Sequence, residues 1–339
     1  MKNVRVGFLF CISCMMPRYN KPYLTFEDQL ELLKSRGLEV TNDNVALEYL
    51  RRLGYYRLSG YWYPLRKLIP LTDQQTKLVR PRRSDEFVQD ARFQDVVALY
   101  VFDKKLRLLI LDAIERIEVA FRVDIAYLLG EKDPFAYTNP DLLHGHFTKK
   151  IDPKTGKTKY EEWLSKHEQL IKRSKEDFVE HYKEKYGLPL PIWVAIELWD
   201  FGLLSVFYKG MAVKDKAIIA QKYDIPDWQI MESWLRSLNY VRNVVAHHSR
   251  LWNRNLIDQP KLAKAGKMPV FDSFIVNTNM TSRVYIVLCI LAHYMKVICP
   301  RSTWQKRVVE LMQSFPNSNY ITIRDMGFPT EWAQQEFWQ

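Results

Sequence analysis

Residues 84–130 read SDEFVQDARFQDVVALYVFDKKLRLLILDAIERIEVAFRVDIAYLLG, with no proline or glycine before Gly130. Leu99, Phe102, Leu106, Leu109, Ala113, Ile117, Ala120 and Phe121 recur at helical spacing. This pattern predicts one long helix from about Ser84 to Gly130. Glu118 and Arg122 stand four apart on it, beside Glu115, within reach of an intrahelical ion pair. As supports they can orient a functional arginine elsewhere. Such pairs are common on helices, which favours a purely structural role.

Working outward, helix signals continue in both directions. Thr25 followed by Asp28 has the form of a capping box, with Leu30, Leu32, Leu33 and Leu38 as apolar positions and Gly37 as the stop. Asn42 or Asp43 opens a second helix that runs through Tyr49, Leu50 and Leu53 to Gly54. The stretch Tyr55 to Arg66 is dense in aromatics and is stopped by Pro64. Its Arg57, Tyr61 and Arg66 can clamp and stack on single-stranded RNA bases, or the aromatics can form a core between helices. Residues 67–83, with Pro70, Arg80, Pro81, Arg82 and Arg83, suggest an exposed linker or basic loop.

Beyond Gly130 the chain turns irregular from Asp133 to Lys159, marked by Asn139-Pro140 and by Asp152 to Gly156. His144-Gly145-His146 has no Cys, Asp or Glu at metal-site spacing, so no metal is expected there. Helical patterns resume over Lys159–Tyr186, Ile192–Gly210, Asp215–Tyr223, Asp227–Trp252, Ser282–Ile298 and about Trp304–Phe315. No series of alternating strands, glycine-rich phosphate loop or nucleophile elbow is present. The expected fold is all-α. Four regions follow: a tail over 1–20, a helical region over 21–83 with the aromatic and basic motif, a core over 84–258, and a helical region over 259–339 packing on that core.

The chain has 339 residues, 47% of them hydrophobic and 14% aromatic, enough for a sizeable core. Its net charge of +11 favours a polyanionic partner, nucleic acid or an anionic membrane surface. The apolar run Val284 to Met295 is too short to span a bilayer and contains His293, so it reads as a packed helix and no membrane partner is expected. Cys11, Cys14, Cys289 and Cys299 form no disulfide framework, which fits a reducing, cytoplasmic setting. Residues 1–16 resemble a secretory signal only superficially, because Met-Pro-Arg replaces a small-residue cleavage site. Residues 1–20 are expected to be an unstructured tail or an over-extended reading frame, with Met15 or Met16 as the start.

The chemistry concentrates in Arg242-Asn243-Val244-Val245-Ala246-His247-His248-Ser249-Arg250. An imidazole can move the proton of a ribose 2′-hydroxyl, and a guanidinium can neutralise the charge that builds as that hydroxyl attacks the adjacent phosphate. DNA lacks the nucleophile, and the pair needs no metal or cofactor. With seven histidines in the chain, such spacing arises by chance about once, so the flanks matter more than the pair. Asn243 lies four residues before His247 and shares its helix face, placed to fix the imidazole's tautomer. Arg242 sits about 140° around the helix from His247. Only a long side chain, or an arginine from a second subunit, brings its charge to the same phosphate.

Lys21-Pro22-Tyr23-Leu24, Leu32 to Leu38, Leu53 to Tyr61, Ala113 to Arg122, Arg242 to Arg254 and Met326 to Trp332 together resemble the Abi-like abortive-infection family of the AbiD/AbiF type. The resemblance covers nearly everything after residue 20. It implies an all-α, HEPN-like helical bundle with N-terminal and C-terminal elaborations, and a metal-independent endoribonuclease that acts as a toxin in antiphage defence under restraint by a noncoding RNA. Carried onto this sequence, the catalytic motif falls on Arg242, Asn243 and His247. His248 satisfies the looser spacing, and Glu118 and Arg122 stand as supports. Arg250 and Arg254, with Arg57, Tyr61 and Arg66, are the expected RNA contacts. A single motif per chain implies a homodimer with a composite site. A second reading keeps the basic residues but not the chemistry, making the chain a catalytically silent RNA-binding regulator. A third is a nucleotide-sensing or interaction domain.

Overall fold

Local capping chemistry sets the first helices. In the computed structural model, which describes residues 20–70 and 82–339, Thr25 Oγ1 accepts the Asp28 N–H at 3.1 Å and Asp28 Oδ2 accepts the Thr25 N–H at 3.3 Å. This capping box opens α1 (Phe26–Ser35), and Asn42 Oδ1, accepting the Val45 N–H, opens α2 (Asp43–Leu53). Gly54, at φ +81°, turns the chain into α3 (Tyr55–Trp62). The expected tail up to residue 19, with Cys11 and Cys14, lies outside the described residues, as do Arg80 and Pro81.

A two-stranded antiparallel pair, β1 (Arg66–Leu68) and β2 (Arg83–Phe87), follows. It corrects two expectations, since residues 83–87 are neither loop nor the first turn of the long helix. Asp85 accepts from both Arg36 and Arg66 at 3.0 Å, and the Phe87 N–H donates to the Arg36 carbonyl at 2.8 Å. The break before the helix is made by Asp90 at φ +60°, a left-handed conformation that aspartate tolerates.

The long helix is α4 (Phe93–Gly130), 38 residues and, at about 1.5 Å per residue, roughly 57 Å long. It is followed by α5 (Gly145–Thr148), α6 (Lys159–Arg173), α7 (Asp177–Tyr186), α8 (Ile192–Ala195), α9 (Phe201–Gly210), α10 (Val213–Lys222), α11 (Trp228–Ala246), α12 (Asp272–Val276), α13 (Val284–Ile298) and α14 (Trp304–Gln313). Two expected helices are split. Ser174 separates α6 from α7, and Asp200 ends the α8 region by capping α9 through the Leu203 N–H at 2.7 Å. The fold is an all-α bundle in which α3, α8, α9, α10, α11, α13 and α14 all pack on α4.

One apolar core takes residues from Leu30 to Trp338. Its centre is aromatic: Phe121 of α4 stacks on Tyr223 at 5.1 Å and meets Tyr208 and Tyr294 edge-on. The Tyr223 hydroxyl donates to Asp124 at 2.6 Å. The run around His293 is the buried helix α13, and among the described residues no helix is long and apolar enough to cross a membrane.

A polar knot lies inside this core. Asp103 is wholly buried on α4 and accepts from Tyr61 of α3 at 2.7 Å, from Arg107, and from the backbone N–H groups of Leu251 and Trp252 at 3.2 and 2.8 Å. Burial pushes its carboxyl up, against the pull of Arg107, the Tyr61 hydroxyl and the two amides. Asp103→Ala leaves the Arg107 cation and two amides without their acceptor, and should lower stability by about 3–5 kcal/mol in urea unfolding. The double variant Asp103→Leu with Arg107→Met should recover only part of that loss, because the Leu251 and Trp252 amides stay unpaired. Full recovery would refute the importance of the amide contacts.

Candidate functional site

The expected helix over Asp227–Trp252 stops at Ala246, six residues early, and the stop shapes the motif. The His248 N–H donates to the Val245 carbonyl and the Ser249 N–H to the Val244 carbonyl, each at 3.0 Å, the paired bonds of a Schellman turn. The left-handed residue of such a turn is usually glycine. Here it is His248, at φ +54°. Sequence reading missed the turn because neither glycine nor proline marks it. After it the chain doubles back, which presents the Leu251 and Trp252 amides to Asp103.

Two arginines clamp the turn. Arg57 Nη1 donates to the His248 carbonyl at 2.7 Å, and Arg250 Nη1 donates to the Gly60 carbonyl. Both bonds join α3 to the segment after α11. Arg254 donates through Nε to the Arg250 carbonyl at 2.9 Å and sits 3.5 Å from the Tyr240 hydroxyl. Arg66 pairs with Asp85. Of the five residues expected to grip RNA, these four arginines thus have intramolecular partners. Tyr61 needs a plain correction. It is 1% exposed and bonded to Asp103, so its ring is core and cannot stack on a base. The exposed members of that stretch are Tyr56, Arg57 and Tyr63.

Within the motif, Asn243 and His247 are exposed, and the His247 N–H still donates to the Asn243 carbonyl at 3.1 Å, so the two keep one helix face. His248 is exposed as well. Arg242, half-buried, lies on a different face and close enough to Glu118 of α4 for its charge to draw that carboxyl down. Its Nη1 stands 3.5 Å from Asn243 Oδ1.

Glu118 and Arg122 form the expected pair at 2.5 Å, and Arg122 also donates to the Trp199 carbonyl at 2.7 Å and faces Glu197 at 3.4 Å. Burial pushes the Glu118 carboxyl up; Arg122 and Arg242 pull it down, and Asp200 adds an upward push. Asp200 and Asn239 were not singled out from the sequence. A methyl group at Gly202 would stand 3.2 Å from Asp200 Oδ1 and 3.4 Å from Asn239 Oδ1, so the glycine leaves these polar groups room to gather. The signal for Asn239 was available: Asn239, Asn243 and His247 repeat every four residues, one polar row along α11.

His144 and His146 sit at the start of α5, where His144 Nδ1 accepts the His146 N–H at 3.2 Å. Among the described residues no group of three or more His, Cys, Asp or Glu side chains is gathered as a metal site would require.

Neither the curated proteins nor the solved structures returned a match to this chain. A family model described as Abi-like protein matches residues 48–253. That span holds the whole Asp103 knot, the two clamping arginines and the motif from Arg242 to His248. The chain therefore belongs to the Abi-like family, proteins of abortive infection.

Proposed function

We propose that the chain is a metal-independent, HEPN-type endoribonuclease, a toxin of antiphage defence that works in the cytoplasm and is restrained by a noncoding RNA. The observation that carries this reading is the end of α11, where His247 and Asn243 share an exposed face on a rigidly clamped turn, one residue from an arginine, in a chain of the Abi-like family. In the reaction His247 takes the proton of a ribose 2′-hydroxyl and the 2′-oxygen bonds to the adjacent phosphorus. The P–O5′ bond breaks, a second His247 returns a proton to the 5′-oxygen, and the products are a 2′,3′-cyclic phosphate and a 5′-hydroxyl. Asn243 orients the imidazole and Arg242 stabilises the oxyanion charge.

The second His247 comes from a second copy of the chain. Val119, Val123 and Tyr127 make an apolar stripe along α4, exposed at 51%, 58% and 82%. Val123 and Tyr127 line a groove of about 570 Å³ together with Trp193, Ile196, Arg122 and Glu197. Val119, the first residue of the stripe, is one position and about 100° around α4 from Glu118. A second copy seated there covers the stripe.

The alternative, a silent RNA-binding regulator, draws on the separation of Arg242 and His247 around α11. Labelled RNA with the purified protein in EDTA decides between them. Cleavage that persists in EDTA and is lost in folded Arg242→Ala and His247→Ala variants supports the nuclease; salt-sensitive binding without cleavage supports the regulator. Loss of His247 should cost about 10²- to 10⁴-fold in rate. His248→Gly should retain cleavage and raise stability by about 1 kcal/mol, since it removes a side chain from the left-handed position. Inactivity of a stable His248→Gly protein would transfer the catalytic role to His248.

For the dimer, Tyr127→Arg with Val123→Glu should convert the protein to a monomer in sedimentation and abolish cleavage without unfolding it. A wild-type protein that sediments as a monomer at cleaving concentrations would end the two-copy mechanism.

A further inference from the structure

Away from Arg242 and His247, a cavity of about 670 Å³ opens between α6, α7 and the Leu188-Pro189 turn. That is within the range of small-molecule sites. Tyr137, Leu164, Ile171, Leu188 and Pro189 supply mostly apolar walls, and His167 of α6 also lines it. His167 is only 2% exposed, stacked on Trp163 at 5.4 Å and edge-on to Tyr137 at 4.9 Å.

The hydrogen bonding of His167 fixes where its proton sits. The indole N–H of Trp199 donates to His167 Nδ1 at 3.0 Å. An indole nitrogen only donates, so Nδ1 is the bare nitrogen and a neutral ring carries its hydrogen on Nε2. Burial holds the imidazole at a pKa of about 4, so the ring is neutral near pH 7. Among the described residues Nε2 has no hydrogen-bond partner, and it is not among the unpaired polar atoms sealed from solvent. Since His167 lines the cavity, this N–H donor opens into it.

The walls and the donor together select a ligand. Walls made mainly of Leu164, Ile171, Leu188 and Pro189 suit an uncharged body, because a charged one loses its hydration against them. Glu168 and Lys172, of opposite charge and both exposed, also line the cavity, and the Lys183 ammonium is taken by the Ile171 carbonyl at 3.1 Å and Glu180 at 2.9 Å. The buried donor, His167 Nε2–H, asks for a lone pair. We propose that this cavity binds an uncharged molecule with a lone-pair acceptor, of the size of a purine base or nucleoside, through a hydrogen bond from His167 Nε2–H to that acceptor. This site stands independently of the nuclease reading. It is nonetheless tied to the motif, since Trp199, which holds His167, also offers its carbonyl to Arg122, the partner of Glu118.

Benzimidazole and indole form a matched pair of probes. They share size and an N–H, but only benzimidazole has a ring-nitrogen acceptor. Each is titrated into the full-length protein by calorimetry to millimolar concentration, with adenosine as the larger probe and the His167 Nε2 resonance followed by ¹⁵N NMR. Benzimidazole should bind about tenfold more tightly than indole, equivalent to about 1.4 kcal/mol, and shift the Nε2 signal. Leu188→Trp, a change at an exposed wall residue that fills the cavity, should abolish binding of all three. His167→Phe should keep weak binding and lose the preference for benzimidazole. Equal affinities, no binding by any probe, or binding unchanged in Leu188→Trp would each overturn the proposal. If His167→Phe does not fold, because the Trp199 N–H loses its acceptor, the wild-type preference and Leu188→Trp still decide.

Discussion

The position of the α11 turn depends on one buried carboxylate, Asp103. A buried ion pair by itself can often be replaced by apolar side chains of similar volume without loss. Asp103 differs because two of its donors are backbone N–H groups, of Leu251 and Trp252, which no apolar substitute can satisfy. Those amides reach it only because the chain has reversed at His248, and Tyr61 reaches it only because α3 lies against α4. One side chain thus fixes the register among the amino-terminal helices, the long central helix and the segment that follows the motif.

The reversal itself is held from outside as well as from within. A left-handed histidine is a conformation that the surrounding contacts must impose. They do so at three points: the paired turn bonds to Val244 and Val245, Arg57 on the His248 carbonyl, and Arg250 on the Gly60 carbonyl. Arg57 and Arg250 therefore act on the geometry of His247 and His248. A nucleic acid reaching for either guanidinium competes with a bond that keeps the turn in place.

What the sequence reveals follows the range of the interaction. Capping at Thr25 and Asn42 is legible because cap and partner are three residues apart, and the Glu118–Arg122 pair because a helix brings i and i+4 together. The breaks at Asp90 and His248 are not, since each is made by a residue other than glycine or proline, with the backbone held by distant residues, Leu65 and Glu39 beside Asp90 and Arg57 at His248. The aromatic stretch is half legible: Leu58, Tyr61, Trp62 and Leu65 recur at helical spacing and are buried, which assigns Tyr61 to the core once period is weighed above chemistry. Asp103 shares the buried face of α4 with Leu99, Leu106 and Ile110, so an acid on an apolar stripe was visible. Its partners near residue 251 are far along the chain, beyond the reach of local pattern. At the site, the row of Asn243 and His247 was legible from spacing, whereas the facing of Arg242 toward Glu118 required the packing of α11 on α4.

The charges around Arg242 bear on how a phosphate approaches. On the α4 side, three carboxylates, Glu118, Glu197 and Asp200, gather with two guanidinium groups, Arg122 and Arg242. A phosphate entering there meets surplus negative charge in partly buried surroundings, where repulsion is poorly screened. The exposed side, with Asn243 and His247, carries no such surplus within the motif. A phosphate that reaches His247 on this side must draw Arg242 away from Glu118, leaving a half-buried carboxylate with Arg122 alone, or take its guanidinium from another molecule. In a second copy Arg242 stands beside Glu118 in the same way, so the second route carries the same electrostatic cost. Helix geometry, which sets Arg242 about 140° around α11 from His247, and the pull of Glu118 on Arg242 thus act together to keep the arginine of one chain away from a phosphate at the histidine of that chain.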